Sequence, residues 1–112
     1  MDDAANERVK KAGEAILELL QVHPGGCKNP EALAQITRLA QGAVSASEYD
    51  SYVSEKASSI KSFAAILYSE RKHRKYDEKF PNGAEKVRSF IASAARALMH
   101  LPTLPKPMRE GE

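Results

Sequence analysis

Three features of the sequence predict an all-α fold, a small up-down bundle of four helices. Apolar residues recur at three- and four-residue steps in four separate segments, turn-forming Pro, Gly or Ser residues punctuate them, and no segment alternates apolar and polar residues as a half-buried strand would. With 112 residues, 42% of them hydrophobic and 29% charged, the chain has material for one globular domain and one modest core. Links this short make consecutive helices antiparallel. The helical domain is expected over residues 1–101, and residues 102–112 form an irregular tail rich in proline.

The first helix is expected over residues 4–23, where Ala5, Val9, Ala12, Ile16, Leu19, Leu20 and His23 share one stripe. It stops at Pro24-Gly25-Gly26, which cannot continue a helix. Asn29-Pro30-Glu31 then supplies a cap, a proline for the first turn and an acid at the positive end of the dipole. The second helix is expected over residues 30–42, with Leu33, Ile36, Leu39, Ala40 and Ala43 along its inner side and Gly42 marking its end.

A third helix is expected over residues 46–76. Ser45 and Glu48 have the spacing of a capping box, and the stripe runs Tyr49, Tyr52, Val53, Ala57, Ile60, Phe63, Ala64, Leu67 and Tyr68. Tyr49, Tyr52 and Phe63 are expected in the core. No Gly or Pro lies between Ala43 and Pro81, so this helix would run ~45 Å and outreach its neighbours. Pro81-Asn82-Gly83 makes a turn, and Asn82 with Glu85 caps a fourth helix over residues 83–101. Ala84, Val87, Ile91, Ala94, Leu98 and Leu101 form its seam, widened by Phe90 and Ala95. The run from Ala92 to Ala97 is mostly alanine and serine, small enough for close approach of another helix.

Composition and motifs exclude more than they assign. A lone cysteine, Cys27, excludes an intrachain disulfide framework and points to a reducing compartment. The acidic start and the absence of a long apolar run predict a soluble, cytoplasmic protein with neither a secretory leader nor a membrane span. His23, His73 and His100 fall on different elements, and His23 with Cys27 supplies only two of the four ligands a structural zinc site needs. Glu70 and His73 have the spacing used in di-iron bundles, but only one copy occurs and it sits in a charged run. Gly25-Gly26-Cys27-Lys28 is too short for a phosphate-binding loop. The expectation is no catalytic residue, no cofactor and no metal.

Two binding surfaces stand out. The first is apolar: around Phe63, Ile66, Leu67 and Tyr68 the third helix is apolar on more than one side, as a protein-binding or self-associating face would be. The second is basic. The net charge of +2 conceals a polarised chain, with 9 acids and 7 bases over residues 1–68 against 4 acids and 8 bases over residues 69–101. Tyr68, Arg71, Lys72, Arg74, Lys75 and Tyr76, with Arg88 on the fourth helix, combine cations for phosphates with rings for base stacking. The same run also suits a helix C-terminus in water. A helix-turn-helix reading of residues 32–53 fails because the second helix begins with Glu48 and Asp50, where phosphates would lie. The expected function is a non-catalytic helical adaptor acting through protein–protein contact, with a nucleic-acid-binding accessory subunit as the alternative.

Overall fold

The computed structural model describes residues 3–23, 25, 28–68 and 83–101, and these form four helices. They are α1 (Asp3–Val22), α2 (Pro30–Ala46), α3 (Ser51–Leu67) and α4 (Gly83–Met99). Each helix packs on two neighbours in a closed ring, α1 on α2 and α4, and α3 on α2 and α4. Cross-contacts fix the directions. Leu17 and Gln21, late in α1, share a groove with Glu85 and Arg88, early in α4. The amide of Asn29, just before α2, bonds to the carbonyl of Tyr68, just after α3. The fold is therefore the small all-α bundle that the apolar periodicity predicts, in up-down order.

The inward stripes are those of the sequence. Val9, Ile16 and Leu20 of α1, Ile36 and Ala40 of α2, Val53, Ile60 and Leu67 of α3, and Val87, Ile91 and Leu98 of α4 are buried in one cluster. Removing a buried side chain of this size typically costs about 2–5 kcal/mol, so the cluster dominates stability. Eight alanines lie in the same cluster, among them Ala57, Ala64 and Ala95, and they let the helix axes come close.

A close approach joins α1 to α4. Gly13 is buried, and a Cβ placed there would lie 2.6 Å from the carbonyl oxygen of Ala95 and 2.9 Å from the Met99 side chain. The small-residue run of α4 is thus filled from inside the bundle by α1. Gly42 is the opposite case: it lies within α2, exposed, with open space around its Cα.

The boundary between α2 and α3 departs from the sequence expectation. Gly42 does not end α2, which continues to Ala46, and Ser45 belongs to it rather than capping α3. The end is a Schellman motif. The Tyr49 amide donates to the Val44 carbonyl and the Glu48 amide to the Ser45 carbonyl, with Glu48 at φ 55 and Tyr49 at φ 62. Glycine usually occupies such left-handed positions. The reversal is pinned by buried Ser47, whose hydroxyl donates to the Val44 carbonyl and accepts from the Asp50 amide. Asp50 is the true N-cap of α3, accepting from the amides of Tyr52 and Val53 at 3.0 and 3.1 Å. Tyr49 consequently stands on a turn and is 70% exposed, while Tyr52 is 37% exposed and Phe63 half-buried, so none of the three is a core residue.

The other end of α3 is also shorter than expected. The helix closes at Leu67, with Tyr68 as its C-cap donating to the Ala64 and Ile66 carbonyls. The rest of the expected helix, the Asn82 cap of the fourth helix and the proline-rich tail lie outside the described residues. The Asn29 cap matches its prediction: its side chain accepts from the Ala32 amide at 3.1 Å, Pro30 opens α2, and Glu31 sits in the first turn.

The two glycines in helix interiors should respond oppositely to alanine. Gly13→Ala forces α1 from α4 and is expected to cost about 1–3 kcal/mol, whereas Gly42→Ala is expected to add about 0.5–1 kcal/mol, both read by urea denaturation. Glu48→Gly relieves a left-handed non-glycine and should raise stability by about 0.5–1 kcal/mol in the same assay. Destabilisation by Glu48→Gly would refute the strain assigned to that turn.

Candidate protein-binding surface

Next to the buried stripe of α3 runs a second row, Tyr52, Lys56, Ser59, Phe63 and Ile66, at steps of four and three. A helix of 3.6 residues per turn places such positions on one side. In α4 the residues Lys86, Phe90, Ser93 and Ala97 repeat the pattern. The two rows meet where Phe63 and Phe90 pack with ring centroids 5.0 Å apart, tilted by 48°. Phe63 and Ile66 are half-buried against the core, and half-buried Phe90 rests on Phe63. The outer face of the α3–α4 seam is therefore apolar at its middle.

Lysines sit over two of its rings. The Lys56 Nζ lies 5.2 Å from the centroid of Tyr52, and the Lys86 Nζ lies 5.9 Å from that of Phe90. An ammonium above an aromatic face is attracted by the ring quadrupole, by about 0.5–1 kcal/mol at an exposed site. These contacts, with the mutual packing of the phenylalanines, occupy ring faces that a nucleobase would otherwise need.

The structure divides the apolar residues expected from the sequence. Phe63 and Ile66 reach the surface. Leu67 is fully buried and Tyr68 is 2% exposed, so both belong to the core. Tyr68 has a structural task instead. Its hydroxyl donates to the His23 carbonyl at 2.6 Å, its own carbonyl accepts from the Asn29 amide at 3.1 Å, and the Asn29 side chain lies 3.4 Å from the His23 ring. Gly25 passes directly over Leu67 at φ 90, where a Cβ would collide with that side chain.

Of the basic residues expected to bind a polyanion, Arg71, Lys72, Arg74 and Lys75 lie outside the described residues, as does Tyr76. Arg88 is half-buried on the α1 side of α4, with Glu85 at 3.9 Å, so it does not join the α3–α4 seam. Cys27, Glu70 and His73 also fall outside the described residues. The seam's other members, Tyr52, Lys56, Lys86 and Phe90, emerge as rows only when α3 and α4 are laid side by side. They are obscured because aromatics at helical spacing read first as core.

Two further grooves are shallower in chemistry. One of about 710 Å³ runs along α2 past Leu33, Ala34, Thr37 and Gln41, and a hydrogen bond from Lys61 to Gln41 spans its edge at 3.0 Å. The other, about 540 Å³, contains Arg88 and Arg96. Among the described residues, no three of His, Cys, Asp and Glu gather in a metal-binding group. Nor is any described helix long and apolar enough to cross a membrane. Comparison with protein families, curated proteins and solved structures finds no match for this chain.

Tyr68→Phe removes one hydroxyl and leaves the ring in place. It is expected to lower the unfolding free energy by about 1–2 kcal/mol with an unchanged urea m-value, and an unchanged midpoint would show that the tie to His23 contributes nothing.

Proposed function

We propose that the chain is a non-catalytic helical binding module that acts through protein–protein contact, as a subunit of a larger assembly, using the α3–α4 seam. The observation that carries this reading is the placement of Phe63, Ile66 and Phe90 on the outside of a bundle whose core is already complete without Phe90. Apolar side chains gathered on one face, with lysines over two of the rings, have the composition of an interface, apolar with polar groups beside it. The reading invokes no catalytic group, cofactor or metal, and it places the module in the reducing cytoplasm that a lone cysteine suits.

The test is co-purification with the tagged full chain in cells that make it, beside a Phe63→Ser/Phe90→Ser variant. Wild type should retain a protein at near-stoichiometric level through nuclease treatment. The variant should lose it while keeping its helical circular dichroism. Retention undiminished in the folded variant, or retention of nucleic acid alone, would overturn the reading. Light scattering on the isolated chain distinguishes a foreign partner from a second copy.

A further inference from the structure

We infer that the chain pairs with a second copy of itself through the outer face of α2. The two α2 helices cross antiparallel about a two-fold axis at the level of Ala43, with Arg38 of each copy against Glu48 of the other. This face is distinct from the α3–α4 seam, so the two readings stand or fall separately.

The groove on α2 supplies the surface. It holds about 710 Å³ and follows the helix from Pro30 to Ser45, with Lys61 of α3 on its edge. Gly42 lies in it, exposed, with nothing within 4 Å of where a Cβ would stand. Alanine at such a helix position would be more stable by about 1 kcal/mol, and nothing inside the bundle requires the glycine. Ser45 is small and exposed on the same face. Helix axes pack roughly 8–10 Å apart according to the side chains at their contact, and these two residues allow the short end of that range.

Charge selects the occupant. The charged side chains lining the groove are Arg38 and Lys61, both basic, and the Lys61 ammonium donates to Gln41. The turn that ends the groove carries the opposite sign. Glu48 and Asp50 are exposed there, and the Glu48 amide donates to the Ser45 carbonyl, which holds Glu48 at the groove's end. Asp50 commits one carboxylate oxygen to the N-cap of α3. Among the described residues, neither Arg38 nor Glu48 has an ion-pair partner in its own chain. A nucleic acid laid in the groove would meet Arg38 but be repelled by Glu48 and Asp50. A second copy turned end for end answers both signs at once, as a self-complementary interface must.

Two pairings of different kinds give the same axis. Arg38 and Glu48 have their midpoint at position 43, and Gly42 and Ser45 have theirs between positions 43 and 44. An antiparallel crossing centred there sets the small residues over one another and repeats the charge contact on either side. Glu31 lies two turns beyond Arg38, toward the far end of the groove and outside the crossing. With one helix face contributed per copy, the contact is at the small end of specific interfaces, and a Kd of about 10–100 μM is expected.

Sedimentation equilibrium of the full chain from about 10 μM to on the order of 1 mM tests this, and should show a monomer–dimer equilibrium in that range. Arg38→Glu and Glu48→Arg should each raise Kd about ten- to thirtyfold, because both charge contacts become repulsive. Mixed in equal amounts, these two variants should form a heterodimer tighter than either homodimer, since opposite charges then face each other at both contacts. Gly42→Leu should abolish the dimer while keeping its helical circular dichroism, and the charge variants decide the matter if it does not fold. A chain that stays monomeric throughout, a dimer indifferent to Arg38→Glu, or charge variants that fail to associate when mixed would overturn the inference and leave the seam reading untouched. A dimer lost in Phe63→Ser/Phe90→Ser but kept in Arg38→Glu would place self-contact on the α3–α4 seam and overturn it as well.

Discussion

The end of α3 is organised around one buried tyrosine. Tyr68 donates its hydroxyl to the last carbonyl before the α1–α2 link and accepts, through its own carbonyl, the amide of the residue that caps α2. A polar atom placed this deep costs several kcal/mol unless it finds a partner, so the ring can stay buried only while residues 23 and 29 hold their positions. Three elements are tied by one residue, through its hydroxyl and its backbone carbonyl: the exit of α1, the entry of α2 and the stop of α3. Gly25 completes the arrangement by passing where no side chain could, directly over Leu67. The inward turn of Leu67 and Tyr68 leaves Phe63 and Ile66 as the outward part of that apolar stretch, and so defines the seam.

Small residues set the other dimension of the bundle. Alanine-rich helices bring their axes together, and Gly13 permits α1 to touch the α4 backbone itself. With so little side-chain volume needed inside, the phenylalanines are displaced outward. Phe63 and Phe90 pack on each other at the surface because Ile60, Ile91 and Leu98 already fill the interior between α3 and α4. The half-buried aromatic seam is thus a consequence of a core built largely from alanine and aliphatic side chains.

Much of this was legible in the sequence. Apolar periodicity located all four helices and nearly every core position, and Asn29-Pro30-Glu31 marked the start of α2 to the residue. The α2–α3 turn was not legible, since it is made without Gly or Pro by Glu48 and Tyr49 in left-handed conformations. A rival capping pattern, Ser45 with Glu48, lay only five residues from the real cap at Asp50, and tertiary packing around Ser47 decided between them. The stop of α3 was hidden for a similar reason: it depends on hydrogen bonds to residues far away in the chain, which no local propensity encodes. Of the candidate site, Phe63 and Ile66 were visible, while Lys56, Lys86 and Phe90 became members only when α3 and α4 were laid side by side.

The contact between Gly13 and Ala95 also bears on how the bundle assembles. Short links hold α1 beside α2 and α2 beside α3, so those pairs meet at low entropic cost. The α1–α4 seam joins opposite ends of the sequence and closes the ring. Closing contacts so distant along the chain costs more loop-closure entropy than pairing adjacent helices. The ring therefore closes at a glycine of α1 that faces α4, the helix that also forms one wall of the surface proposed to bind.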